Sequence, residues 1–141
     1  MPVHGVQPYV GEAIDSVLEQ TFRDLELIVV SEPDTELEAI RAIERYRDDR
    51  IVHRRNEVRL GLERSLNLAL EMARGEYLAR LDSDDKWVKI KLERQCRYLD
   101  EHPHIAVLGS SFYFMHKGGE VFMEYHFSTD PNIIGWDILF D

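Results

Sequence analysis

Apolar residues at helical spacing alternate along this chain with short, nearly unbroken apolar runs. Val10, Ala13, Ile14, Val17 and Leu18 recur every three or four positions and predict a helix over 9–20. Leu25 to Val30 is an almost continuous β-rich run, the mark of a strand buried on both faces. Leu37, Ile40, Ile43 and Tyr46 make the stripe of a second helix ending near Asp48, and Ile51-Val52-His53 a short strand. Leu62, Leu66, Ala69, Leu70 and Ala73 predict the buried face of a third helix, with Gly75 placed to stop it. Tyr77 to Leu81 follows as a strand, and 86–101 as a fourth helix with Leu92, Cys96 and Leu99 inward. Ile105 to Gly109 is a further apolar strand. Ser111–Met115 and Glu120–Tyr125 flank His116-Lys117-Gly118-Gly119 as a hairpin, its glycines a turn and not a phosphate loop. A last short helix is expected from Asp130-Pro131 to the end.

Met1-Pro2-Val3 reads as the end of a strand, so strands and helices alternate from the start. That order predicts an α/β fold, a three-layer α/β/α sandwich with a mainly parallel sheet. Ligands of such sheets sit outside the carboxyl ends of the strands. Two of those ends carry chemistry-grade residues: Ser31, Glu32 and Asp34, and Asp82, Asp84 and Asp85.

The second cluster, Asp82-Ser83-Asp84-Asp85, packs three carboxylates into four residues. A pair of carboxylates 4 Å apart repels by about 4 kcal/mol at an effective dielectric near 20. Solvation, nearby cations or a bound metal can offset that. Asp82 and Asp84 point the same way in extended backbone, which suits two oxygen ligands on one hard divalent ion. The alternative is an acidic, solvated turn that caps the next helix.

Composition narrows the partners more than the fold. The 141 residues are 44% hydrophobic and 31% charged, enough for one domain with a real core. A net charge of −10 argues against sequence-independent nucleic-acid binding and against docking to an anionic membrane. No apolar run is long enough to cross a bilayer, and the start lacks a secretory signal pattern. One cysteine, Cys96, excludes an internal disulfide and makes the cytoplasm the expected location.

Several segments together resemble family-2 glycosyltransferases of the GT-A fold. They are Met1-Pro2-Val3; 8–22; Leu27-Ile28-Val29-Val30; Arg55-Asn56 with Leu60-Gly61-Leu62 and Leu66-Asn67; 73–85; and Leu92-Glu93-Arg94-Gln95, in the family's order over nearly the whole chain. The resemblance implies a donor-binding domain over residues 1–141. It implies transfer of a sugar from a nucleoside-diphosphate sugar to the hydroxyl of a saccharide, lipid or polysaccharide acceptor. It implies Mn²⁺ or Mg²⁺ as cofactor, held by Asp82 and Asp84, with nucleotide contacts from Pro2, Val3, His4, Glu32, Asp82 and Ser83.

The sequence also departs from the family pattern. Ser31-Glu32-Pro33-Asp34 stands where two acids and a glycine are usual, and His4-Gly5 where a polar pair is usual. The chain reads as truncated at both ends, with the general base expected beyond Asp141. An exposed sheet edge could then drive self-association into a homo-oligomer. The competing reading is a GT-A-like binding or interaction module without transferase activity. His102 and His104 read as surface residues and Cys96 as a small core hydrophobe. Trp87 reads as site shield or as packing. Arg54, Arg55, Arg59 and Arg64 read as solvated charges or as a source of one diphosphate partner.

Overall fold

A computed structural model describes residues 1–129; the helix expected from Asp130 onward lies outside the described residues. These form two compact units, Met1–Tyr98 and the stretch from Leu99 on. In the first, β1 (Pro2–Val3), β2 (Leu27–Ser31) and β3 (Ile51–Arg55) form a parallel sheet in that spatial order. Pro2 pairs with Val30 and Val3 with Ser31, while β3 runs beside β2 from Leu27↔Ile51 to Ser31↔Arg55. The three carboxyl ends therefore finish level, at Val3, Ser31 and Arg55.

The crossovers are α1 (Val10–Leu18) and α2 (Leu37–Glu44), which pack on each other. Both steps run the same way across the sheet, so right-handed connections place both helices on one face. The core there joins Val10, Ala13, Ile14 and Val17 of α1 to Ala39 and Ile43 of α2 and to Val3, Leu27 and Val29 of the sheet. The third helix, α3 (Leu62–Met72), contacts β2 and β1 but contributes nothing to that cluster, which leaves it the other face. Val30, fully buried, alternates away from Val29 toward that face. The result is the expected helix–sheet–helix layering.

Among the described residues two expected strands are not paired. Residues 77–81 join no ladder there. Leu81 is 3% exposed in the core with Met1 and Val3, whereas Leu78 is 63% exposed. The neighbouring strand β1 has only two residues, so it offers almost no ladder on its free side. Residues 105–109, in the second unit, are likewise unpaired among the described residues, and Val107 is 77% exposed. An apolar run states a preference for burial; it does not supply a partner.

The face of α3 also differs from expectation. Leu62 and Leu70 are exposed, and the buried residue is Ser65. The fourth helix, α4 (Lys91–Glu101), starts later than 86 and buries Leu92 as expected, while Cys96 and Leu99, expected inward, are only half-covered. In the second unit β4 (Phe112–Met115) and β5 (Val121–Tyr125) form the expected antiparallel hairpin. Gly119 closes its turn at φ +84°.

Candidate functional site

The level carboxyl ends of the sheet are tied together by the loops that leave them. Glu32 N–H and Thr35 Oγ1 both donate to Val3 O at 2.9 Å, Asn56 N–H donates to Ser31 O at 2.9 Å, and Glu36 N–H to Gly5 O at 3.0 Å. Pro2 and Val3 thus lie beside Ser31 and Glu32, and His4 follows as an exposed residue.

Glu32 is 4% exposed, and both oxygens of its carboxylate are engaged. Oε1 accepts from Gly61 N–H at 3.0 Å, Ser65 Oγ at 2.5 Å and Asn56 Nδ2 at 3.4 Å, and Oε2 accepts from Leu60 N–H at 2.9 Å. Burial pushes this carboxyl up, but the bonds from Ser65, Leu60, Gly61 and Asn56 outweigh it and hold the group below its ordinary value. Leu60 and Gly61 lead into α3, so Glu32 fills the anion position at that helix's N-terminus. Gly61 is indispensable there: φ +80° with ψ 171° is glycine territory. Asn56 and Ser65, which complete the arrangement, carry no hydropathy signal. Asn56 Nδ2 also donates to Ser65 Oγ at 3.2 Å.

The acidic turn stands apart from this network. Asp82 lies within electrostatic reach of the Met1 amino group, and Arg80 Nη2 donates to both of its carboxylate oxygens at 3.0 Å. Asp85 N–H closes the turn on Asp82 O at 3.2 Å. Ser83 is buried and Asp84 exposed. Burial first, then the charges of Asp84 and Asp82, push the Asp85 carboxyl up against the opposing pull of Arg80. The crowding of charge read from the sequence is therefore present, with one arginine set against three acids. Among the described residues no group of three or more His, Cys, Asp or Glu side chains converges as a complete metal shell.

Arg59 pairs with Asp34 at 3.7 Å with both ends exposed, an interaction worth little. Trp87 packs against the core, and the Lys91 ammonium lies 5.5 Å from its ring centroid. The His102 and His104 rings meet edge to face, with centroids 6.1 Å apart.

His53 Nε2 lies 2.9 Å from Ser31 Oγ. Burial lowers its pKa below 6.5, with Glu44 opposing and Arg55 adding to the shift. The unfolded chain then takes up this proton before the folded one does. Stability is expected to decline as pH falls below about 6.5. Urea midpoints at pH 7.5 and 5.5, compared with those of His53→Gln, measure the contribution.

In an α/β unit with a parallel sheet, ligands bind outside the carboxyl edge, where these loops are laced together. The chain belongs to glycosyl transferase family 2, whose model matches residues 1–140. It is 35% identical over 121 residues to an uncharacterized glycosyltransferase of Methanocaldococcus jannaschii, covering 84% of this chain and 42% of that protein. It is 33% identical over 87 residues to the UDP-Glc:alpha-D-GlcNAc-diphosphoundecaprenol beta-1,3-glucosyltransferase WfaP of Escherichia coli, covering 62% of this chain and 34% of that one. The crystal structure of S. aureus TarS 1-349 in complex with UDP-GlcNAc superposes with a TM-score of 0.67 at 28% identity, over 72% of this chain and 30% of that TarS 1-349 chain. The fold is thus that of the GT-A glycosyltransferases. The chain spans less than half the length of these curated relatives. Among the described residues no helix is long and apolar enough to cross a membrane.

Proposed function

We propose that residues 1–141 are the donor-binding domain of a glycosyltransferase that takes a nucleoside-diphosphate sugar and passes the sugar to an acceptor hydroxyl. The observation that carries this reading is the acidic turn, set directly after the core residue Leu81 in a chain of this family. Asp82 and Asp84 would hold Mn²⁺ or Mg²⁺. The donor set fits, because both are oxygen ligands and such ions are often held by one or two carboxylates together with substrate phosphates. When bound, the cation would act as a Lewis acid that offsets the charge of the leaving diphosphate.

The chain's own residues do the positioning. Arg80 orients Asp82, and the backbone of Pro2 and Val3 with exposed His4 borders the nucleotide. Ser83, buried, fixes the turn between the two ligands. Glu32 contributes through the loop it holds, since its carboxylate is taken up by Asn56, Leu60, Gly61 and Ser65. Relatives named for diphosphoundecaprenol-linked acceptors favour a lipid-linked saccharide as acceptor. The single cysteine accords with a reducing, cytoplasmic setting.

Isothermal titration of UDP- and GDP-sugars with and without Mn²⁺ tests the reading. Binding strengthened by Mn²⁺ in the wild type is expected. Asp84→Asn should lose that gain, about tenfold or more in affinity, while keeping the fold. Absence of binding at millimolar ligand would overturn the proposal. The engaged Glu32 carboxylate favours a second reading, a binding module without transfer activity, and a radiolabelled sugar-transfer assay separates the two.

A further inference from the structure

We infer that Gln20 is a positioning residue for the acidic turn, an inference that rests on the functional reading above. Gln20 follows the end of α1 and is 0% exposed. Its Nε2 donates to Ser16 O and to Val88 O, both at 2.9 Å, and its Oε1 accepts from Leu92 N–H at 3.0 Å. One amide thereby joins the end of α1 to the chain three residues past Asp85 and to the first turn of α4. Its neighbours repeat the connection. Ser16 Oγ accepts from Trp87 N–H at 3.1 Å, and Thr21 N–H donates to Lys89 O at 2.9 Å. The ion pairs Lys86–Glu12 and Lys89–Glu19 lie outside this seam and are exposed.

The upstream end of the turn is fixed by a different means, the burial of Leu81 among Met1, Val3 and the α1 residues. Residues 82–86 therefore span two anchors, one apolar and one hydrogen-bonded. Asp82, Asp84 and Asp85 repel one another, and an unanchored segment would relieve that by opening. Convergence of two carboxylates on one cation requires the closed arrangement. Gln20 suits the downstream anchor because its amide both donates and accepts. A glutamate could still accept from Leu92 but would set a charged oxygen against Val88 O. A methionine of similar length could do neither. Supporting groups of this kind typically change metal affinity by about 10- to 100-fold when removed.

The test uses Gln20→Met in the 141-residue chain, with Ile40→Val, a buried change in α2, as a control for general destabilisation. Hydrogen exchange of the ligand-free chain reads the anchor directly. Amides of residues 82–92 are expected to exchange faster in Gln20→Met and to match wild type in Ile40→Val. Titration with UDP and Mn²⁺ reads the consequence. The affinity gained on adding Mn²⁺ should fall about tenfold or more in Gln20→Met, while UDP affinity without metal stays near wild type. Unchanged exchange over 82–86, or an unchanged Mn²⁺ gain in folded Gln20→Met, would overturn the inference. A wild type indifferent to Mn²⁺ would instead overturn the functional reading. Exchange over 82–86 then decides on its own whether Gln20 holds the turn.

Discussion

Replacing Glu32 with alanine is expected to destabilise the chain by about 3 kcal/mol, since it strands several buried donors at once. Leu60 N–H, Gly61 N–H, Ser65 Oγ and Asn56 Nδ2 all donate to this one carboxylate. Water can reach only part of the space left behind, because Asn56 and Ser65 are themselves buried. Glu32→Gln should cost less, about 1–2 kcal/mol, because the amide oxygen still accepts while its NH₂ group opposes one donor. The same carboxyl sets a pH dependence. Its folded pKa lies below the ordinary 4.5, so its contribution is complete above 4.5 and is lost as pH falls through the folded value. Urea unfolding followed by circular dichroism at pH 7 and pH 3 checks both points. In Glu32→Ala this part of the acid sensitivity should be missing. A variant as stable as wild type at pH 7 would show that the loop finds other acceptors.

Leu81→Ala is expected to cost about 3 kcal/mol, whereas Leu78→Ala should change stability by less than about 0.5 kcal/mol. The two leucines belong to one apolar run, yet Leu81 is buried in the core and Leu78 lies open to solvent. Truncating Leu81 leaves a cavity beside Met1 and Val3 and releases the upstream end of the acidic turn, so Mn²⁺-dependent nucleotide affinity should fall with it. Thermal denaturation ranks the two variants. Equal losses would mean that the run behaves as a strand covered on both faces.

Those leucines also show how far the sequence reaches. Among the described residues, periodicity locates four helices with ends off by up to about five residues; α1 and α2 bury most of the stripe that the spacing marks, while α3 buries only Ser65 and α4 only Leu92. Helical spacing is local, and so are the continuous run at β2 and the glycine turn of the hairpin. Pairing is not local, and residues 77–81 and 105–109 have strand composition without a ladder among the described residues. The charged residues of the candidate site stand out in the sequence, and the side chains that hold them do not. Asp82, Asp84 and Glu32 stand out as acids, but Ser16, Gln20, Asn56 and Ser65 have polar side chains that hydropathy assigns to the surface. All four are buried and hydrogen-bonded. Ser16 on α1 and Gln20, two residues past its end, are four apart in the sequence, the spacing of neighbours on one helix face.

The carboxylate between the sheet and α3 constrains how this chain can drift over generations. Shortening Glu32 to aspartate withdraws the acceptor from four donors anchored in another loop, and neutralising it leaves one of them opposed. Neither step is neutral unless position 56 or 65 has already changed. Changes at Asn56 or Ser65 meet the same obstacle from the other side. Substitutions at these three sites are therefore expected to be non-additive in their effect on stability. Among the described residues no hydrogen bond or ion pair joins the acidic turn to Glu32, Asn56 or Ser65, so changes in the two places are expected to act independently on stability.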